Sequence, residues 1–279
     1  MAKRLGAHRL HAHFLGEPAE WAMGAAMSVG LPFSVSVHAN GLYRPRPSIQ
    51  AVIQAASPVI AVADYHRGLI DKYGATAKVI RCGVDLRQFP LAQVNLQPGD
   101  IRTDPLRVVS VARWVPKKGL EDLVWAVRNC SKPISLRLVS NVPSSWSAPN
   151  IKVGFLPPSQ VPATLAASQL FALPCRIAPN GDHDTIPVSL MEAMAAGLPV
   201  LTTPVGGIAE LVDEDVGWLV PPNDAPALST ALQEIAESPE ERYQRGRAGR
   251  KRIIDRMYTV ERQVDELLAA WRDSKKGYG

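Results

Sequence analysis

The sequence predicts an α/β protein made of two Rossmann-like domains, each a doubly wound parallel sheet. Short apolar runs alternate with helical patterns along almost the whole chain, which is typical of parallel sheets covered by helices. One stretch without periodicity divides this series into two halves. The length of 279 residues, with 46% hydrophobic residues, is sufficient for two separate cores.

The first half, residues 1–90, contains four apolar runs with the composition of buried strands. We expect these strands at residues 9–14, 32–38, 58–62 and 77–80. Helical patterns near 18–29, 47–56 and 65–73 lie between them. Strands separated by helices predict parallel pairing, because each helix returns the chain to the same edge of the sheet.

Residues 91–105 gather Pro, Gly and Asp and lose periodicity, so we interpret them as the linker between the domains. The second domain is predicted over residues 106–255. Its strands are expected near 107–112, 134–140, 151–153, 169–173, 199–203 and 217–220. Ligands bind such sheets at the carboxyl ends of the strands, so a cleft between the two domains is the expected site.

The segment from Asp182 to Glu210 places an acid inside an apolar helix. Glu192 is surrounded in sequence by apolar and small residues, between Pro187, which suits a first helical turn, and Gly197, which suits a helix end. Carboxylates are seldom buried without a partner. We therefore expect a basic side chain or a hydroxyl-rich ligand opposite Glu192.

A glycine-rich turn follows the next predicted strand. Gly206 and Gly207 open a helix that carries Glu210. Free N–H groups and the dipole at a helix N-terminus favour anions. We therefore count both glycines among the predicted ligand-binding residues.

Two cations follow the first strand of the second domain. Arg113 lies just beyond this strand, and Lys118 lies at the predicted start of the next helix. A guanidinium and an ammonium group together suit a diphosphate. The alternative is a solvated loop with Lys117 and Lys118 in water.

Composition limits the remaining classes of protein. The net charge of +5 is modest and fits an anionic substrate, an acidic membrane surface or no specific partner. Three widely spaced cysteines argue against a disulfide framework and fit a reducing cytoplasm. No window approaches the ~20 apolar residues of a membrane span, so we expect no crossing, while peripheral contact stays open. The basic run at 242–252 is interpreted as a solvated helical face, so no nucleic-acid partner is expected.

The motifs together resemble a known enzyme family. VARWVPKKGL at 111–120, Asp184 spaced eight residues before Glu192, GGIAELV at 206–212 and GWLVPPND at 217–224 are similar to retaining GT-B glycosyltransferases of family 4. HAHF at 11–14 and RCGVDLRQF at 81–89 resemble the exopolysaccharide (colanic acid type) subgroup. The resemblance extends over nearly the whole chain and implies a two-domain GT-B fold.

The resemblance also implies roles for individual residues. Arg113 and Lys118 would hold the diphosphate of a UDP- or GDP-sugar, and Glu192 would accept hydrogen bonds from the ribose. Asp184 and His38 would contact the transferred sugar from opposite domains, so that His38, Asp184, Arg113 and Lys118 serve catalysis. Phe155 would position the nucleobase. No cofactor is implied, and Asp182 and Asp184, which flank His183, are not expected to hold a metal.

The chain also departs from the family pattern. Complete members begin with a strand and a glycine-rich turn, whereas Met1 lies only about ten residues before HAHF, so an incomplete first domain is expected. A late start, completion by a second chain or by self-association, and a functional short form stay open. The segment 256–279 is expected to return as a helix, near 259–273, to the first domain, as in relatives. The resemblance favours hexose transfer to a saccharide or lipid-linked acceptor; a GT-B epimerase and a non-catalytic nucleotide-sugar-binding remnant are the alternatives.

Overall fold

The computed structural model describes residues 6–89, 91 and 105–274, without the side chain of Asn40. The predicted linker at 91–105 therefore lies outside the described residues except at its two ends. The last five positions of the predicted segment 256–279 also lie outside them.

The first domain contains one parallel sheet of four strands. The strands are β1 (Leu10–His13), β2 (Phe33–Val37), β3 (Val59–Ala61) and β4 (Ala77–Val79), and they pair in chain order. The connecting helices are α1 (Glu17–Val29), α2 (Ala39–Leu42), α3 (Ile49–Ala55) and α4 (Arg67–Asp71). All four predicted strands are confirmed to within one residue at each end. Among the strands that the structure describes, none pairs with the outer edge of β1.

The second domain contains a parallel sheet of six strands. These are β5 (Leu106–Val111), β6 (Ile134–Val139), β7 (Ile151–Gly154), β8 (Leu170–Leu173), β9 (Val200–Thr202) and β10 (Gly217–Leu219), arranged in the order β10-β9-β8-β5-β6-β7. The order reverses between β5 and β8. In an open α/β sheet, the carboxyl ends of the strands at such a reversal form the usual ligand-binding crevice. The carboxyl ends of β5 and β8 are therefore the expected position of a ligand-binding site.

The described residues after β5 form seven α-helices, six in the second domain and one at the end of the chain. They are α5 (Leu120–Arg128), α6 (Val161–Ala166), α7 (Val188–Ala195), α8 (Ile208–Leu211), α9 (Ala225–Glu237), α10 (Pro239–Asp255) and α11 (Val260–Asp273). Lys118 was expected at the start of a helix but lies in a 3₁₀ turn that ends before α5. Gly119 lies between this turn and α5 and has a φ of 61°. A Cβ at Gly119 would come within 2.0 Å of the Pro174 carbonyl oxygen. Only glycine fits this close approach.

Two large hydrophobic cores lie under the two sheets. A third, small cluster joins Ile60 and Ile80 of the first domain to Ala270 on α11, with Leu267 packed against it. The guanidinium of Arg9 also donates a hydrogen bond of 2.6 Å to the carbonyl of Ser274, just after α11. The final helix therefore returns to the first domain and covers its sheet.

The basic run on α10 is helical, but several of its cations are used inside the protein. Arg242 is buried and donates to the carbonyl of Ala236 at 3.1 Å, and Arg252 pairs with Asp213 at 2.7 Å. The guanidinium of Arg245 lies 4.2 Å above the ring of Trp218. The prediction of a wholly solvated face is therefore wrong for these residues, because their guanidinium groups fasten α10 to neighbouring elements.

Candidate active site

The residues 113–118, called the cation loop below, follow β5 directly at the reversal of strand order. Arg113 is exposed, and no acid pairs with it among the described residues. Lys118 is sheltered and lies 2.8 Å from a carboxylate oxygen of Asp184. Lys117 is buried and lies 3.1 Å from Asp182 and 3.5 Å from Asp184. The alternative of a solvated loop is wrong, since both lysines are held by acids.

The acids come from residues 182–185, called the acid loop below, which lie between β8 and α7. Asp184 pairs with both lysines, and its side chain is only 13% exposed. The turn at Gly206 holds the backbone of this loop, because a Cβ on Gly206 would come within 2.1 Å of the Asp184 carbonyl oxygen. The N–H of Gly207 donates to the carbonyl of Thr185 at 2.9 Å. The N–H of Gly207 is thus used within the protein, where this turn supports the acid loop. Ligand binding by Gly206 and Gly207 stays a prediction.

Glu192 lies one turn into α7 and is half-buried. Burial raises the pKa of its carboxyl group above the ordinary value. Among the described residues, no side chain forms an ion pair or hydrogen bond with this carboxylate. The basic partner that the sequence left open is therefore not found there. An acceptor group in this position suits hydroxyl donors from outside the protein.

His38 directly follows β2 at the carboxyl edge of the first sheet. Its Nε2 lies 3.3 Å from Nδ1 of His13, and its ring lies 4.4 Å from that of Phe14. Burial, and then the nearby rings of His13 and His66, lower the pKa of His38 to about 4. His38 is therefore neutral at pH 7 and can exchange hydrogen bonds without adding charge. None of the described contacts joins His38 directly to Asp184 or Lys118.

Phe155 follows β7 at the same sheet edge as the cation loop. Its ring is 76% exposed, which leaves a face open for stacking. An aromatic pair lies at this edge as well, where the rings of Trp114 and Trp146 meet edge to face at 5.7 Å. The loops after β5 and β6 are tied together here, since Asn141 accepts a hydrogen bond of 2.7 Å from the N–H of Trp114.

The sequence did not predict that the acid loop contacts the first domain. The ring of His183 stacks on that of Tyr43 at 3.6 Å, and the hydroxyl of Thr185 lies 2.7 Å from Nε2 of His66. Tyr43 completes the cluster, with its hydroxyl 2.9 Å from the same nitrogen of His66. Burial lowers the pKa of His66 to about 4 and raises that of Tyr43. The alternation of DHDT was the available signal, because neighbouring side chains of an extended segment point in opposite directions.

Glu210 forms a further contact between the domains. Its carboxylate accepts hydrogen bonds from the N–H groups of Asp64 at 3.0 Å and Tyr65 at 2.6 Å. Arg81 of the first domain lies 3.5 Å from the same carboxylate. The helix after the glycine turn therefore fastens the second domain to the first beside the acid loop.

Two parallel-sheet α/β domains in contact with each other form the GT-B fold, which is found in glycosyltransferases. Sucrose-phosphate synthase from Thermosynechococcus elongatus superposes with a TM-score of 0.78 at 20% identity, over 98% of this chain and 75% of that one. Anabaena HepE, solved with UDP and glucose, superposes with a TM-score of 0.77 at 18% identity, over 97% and 79%. At these identities the likeness shows the fold alone.

Residues 105–238 match the family Glycosyl transferases group 1, so the chain contains a glycosyl transferase group 1 domain. The putative colanic acid biosynthesis glycosyltransferase WcaL of Escherichia coli K12 is 33% identical over 68% of this chain and 50% of its own length. The amylovoran biosynthesis glycosyltransferase AmsK of Erwinia amylovora is 34% identical over 57% and 42%. The chain thus spans about half the length of these curated relatives.

Proposed function

We propose that this chain is a retaining glycosyltransferase that moves a hexose from a UDP- or GDP-sugar to a saccharide or lipid-linked acceptor. The group 1 domain supports transferase activity. Relatives named for colanic acid and amylovoran biosynthesis support a role in cell-surface or exopolysaccharide synthesis. Within the described residues, no helix has the length and apolarity to span a membrane. We place the activity in the cytoplasm, with contact at the inner membrane face as part of the proposal.

One observation carries the donor assignment: the carboxylate of Glu192 has no protein partner within the described residues. Burial raises the pKa of this group, so the protein gives it no compensation for lost hydration. Two ribose hydroxyls would supply the missing donors. The helix α7, which carries Glu192, begins directly after the acid loop. The acid loop and the cation loop both lie at the carboxyl edge of the second sheet.

The cation loop would receive the diphosphate. Arg113 offers a planar guanidinium that no described acid occupies, and Lys118 offers an ammonium group that now pairs with Asp184. During transfer the sugar carbon loses its bond to the diphosphate and gains one to the acceptor oxygen. Negative charge grows on the departing diphosphate, so fixed cations there lower the barrier.

The other predicted residues complete the proposal. Asp184 and His38 would contact the sugar from the two domains, and the exposed ring of Phe155 would stack on the base. In same-face transfer the leaving phosphate takes the proton of the acceptor hydroxyl, which accounts for retention. We propose that no resident metal takes part. In support, Asp182 and Asp184 of the acid loop already pair with lysines.

Calorimetric titration with UDP and GDP tests the donor site. The wild-type chain should bind one of them, and Glu192→Gln should weaken that binding about tenfold or more, since it removes a charge-assisted hydrogen bond worth about 1.5–3 kcal/mol. Glu214→Gln is the matched control, because Glu214 is an exposed acid of the same domain with no described partner. Equal affinity in wild type and Glu192→Gln would refute the ribose assignment.

Release of nucleotide separates an enzyme from a binding remnant. A transferase should release UDP or GDP from the sugar nucleotide when saccharide acceptors are added, and the product should keep the anomeric configuration of the donor. A chain that binds the sugar nucleotide but releases nothing with any acceptor would support the remnant. Inversion of configuration would overturn retention while leaving the donor site intact.

A further inference from the structure

The acid loop points to two different partners in strict alternation. Asp182 and Asp184 point to the lysines of the cation loop, within their own domain. His183 and Thr185 point to the first domain, where they contact Tyr43 and His66. In this loop, Asp184, which we propose contacts the sugar, is therefore directly followed by Thr185, which contacts the first domain.

Thr185 is the more tightly held of the two domain contacts. Its hydroxyl is buried and lies 2.7 Å from Nε2 of His66 and 3.2 Å from the hydroxyl of Tyr43. The hydroxyl of Tyr43 lies 2.9 Å from the same nitrogen, so that three polar groups form a closed triangle across the cleft. A neutral imidazole nitrogen offers one donor or one acceptor site, so the two hydroxyls also satisfy each other.

The backbone of the loop is fixed from a third side. The carbonyl of Asp184 faces Gly206, where a side chain would not fit, and the carbonyl of Thr185 accepts from the N–H of Gly207. With the backbone and the Thr185 side chain both held, the direction in which the Asp184 side chain leaves the backbone is set. Among the described residues, no hydrogen bond or ion pair joins the side chains of the two acids to the first domain.

We propose that Thr185 is a positioning residue: its hydroxyl, held by His66 and Tyr43 of the first domain, aims the Asp184 carboxylate at the transferred sugar. The inference rests on the proposed function, and it adds that the first domain controls recognition of the sugar through this hydroxyl. The nucleotide end of the donor is held by other residues, Arg113, Lys118 and Glu192. Loss of the Thr185 hydroxyl should therefore weaken recognition of the sugar and leave the affinity for the nucleotide unchanged.

A second contact keeps this proposal testable. Glu210 binds the N–H groups of Asp64 and Tyr65, directly before His66, and does not involve Thr185. The domains therefore stay fastened when the Thr185 hydroxyl is removed. A change in sugar recognition could then be assigned to the aim of Asp184 rather than to separation of the domains.

The test measures the affinity for UDP-glucose, UDP-galactose and GDP-mannose, each against its free nucleotide, by calorimetry on the full chain. Thr185→Val keeps the shape and removes the hydroxyl, Thr185→Ser keeps the hydroxyl, and Tyr43→Phe removes the opposite hydroxyl while keeping the ring on His183. Thr202→Val is the matched control, because Thr202 is a buried threonine whose hydroxyl donates to Leu173 within the second domain.

We expect Thr185→Val to lose at least fivefold of the preference for the sugar nucleotide over the free nucleotide, with nucleotide affinity within twofold of wild type. Thr185→Ser should retain the preference, and Tyr43→Phe should lose part of it. If Thr185→Val does not fold, the Tyr43→Phe result decides alone. The inference is overturned if Thr185→Val and Tyr43→Phe both keep the wild-type preference. It is also overturned if the affinity for the free nucleotide falls as much as the affinity for the sugar nucleotide. A wild type without such a preference also overturns it, whereas a wild type that binds no nucleotide refutes the proposed function itself.

Discussion

The site residues predicted at the carboxyl edges of the two sheets differ in charge. At the second sheet, Arg113, Lys118 and Asp184 bring three charged side chains to the ends of β5 and β8. At the first sheet, the end of β2 brings His38, whose pKa is lowered to about 4 and which is therefore neutral at pH 7. The difference indicates a division of labour. Under the proposed function, the second domain would provide the charge that binds an ionic donor, and His38 of the first domain would provide hydrogen bonds without charge.

Lys118→Ala should cause the largest effect and tests this division directly. Loss of a cation at a developing anion costs about 100- to 1,000-fold in turnover, by analogy with the loss of one transition-state donor. Turnover of the sugar nucleotide should fall by that factor, and affinity for the free nucleotide should fall as well. Lys78→Ala is the control, since Lys78 is an exposed lysine of the first sheet. Equal turnover in wild type and Lys118→Ala would contradict the assignment.

Gly206→Ala should cause the next largest effect, on stability. A Cβ would come within 2.1 Å of the Asp184 carbonyl oxygen, and the residue has a φ of 62°, so the acid loop would have to move. We expect a loss of about 2–4 kcal/mol in the free energy of unfolding. Gly181→Ala shares the positive φ but meets open space, and should cost only about 1 kcal/mol. Urea denaturation measures both, and equal losses would show that the contact with the acid loop is unimportant.

The strands and the cation loop could be predicted from the sequence, whereas the link between the domains could not. Short apolar runs determine parallel strands locally, and Arg113 and Lys118 follow such a run, so their place was evident. The Thr185 hydroxyl and His66 are 119 positions apart, and no local pattern relates them. Lys117 and Lys118 look alike in sequence, and only the fold shows that Lys117 lies beside both Asp182 and Asp184, whereas Lys118 pairs with Asp184 alone.

Asp184→Asn should have a smaller effect with the opposite sign. The ion pair of 2.8 Å now neutralises Lys118, so the acid and a diphosphate compete for the same ammonium group. Removal of the negative charge should raise the affinity for UDP or GDP by up to about tenfold, or about 1.4 kcal/mol, while transfer falls. Asp182→Asn is the control, since Asp182 pairs with Lys117 only. A lower nucleotide affinity in Asp184→Asn would contradict this competition.

The smallest expected effect is the change in stability per pH unit, and it should differ between the two domains. Burial lowers the pKa of His11, His38 and His66 from about 6.5 to about 4, and all three belong to the first domain. A lowered histidine pKa means that the folded state favours the neutral ring. Its contribution is complete above pH 6.5 and is lost as the pH falls towards 4, at no more than about 1.4 kcal/mol per pH unit for each ring.

Hydrogen exchange between pH 7 and pH 4.5, corrected for the intrinsic rate, checks this expectation. Protection should decline first in β1, β2 and the turn before α4, and later in β5 and β8. Urea midpoints should fall over the same interval. A parallel loss of protection in both sheets would show that the histidines do not distinguish the domains.

A crystal structure of the chain with the nucleotide that binds, UDP or GDP, would show whether Arg113, Lys118 and Glu192 together form the donor site. We expect diphosphate oxygens about 2.7–2.9 Å from nitrogens of Arg113 and Lys118, with the ribose hydroxyls donating to Glu192. The Lys118 ammonium should then be shared between Asp184 and the diphosphate or released from the acid. A nucleotide bound elsewhere, or one that leaves Glu192 without a contact, would refute this donor site.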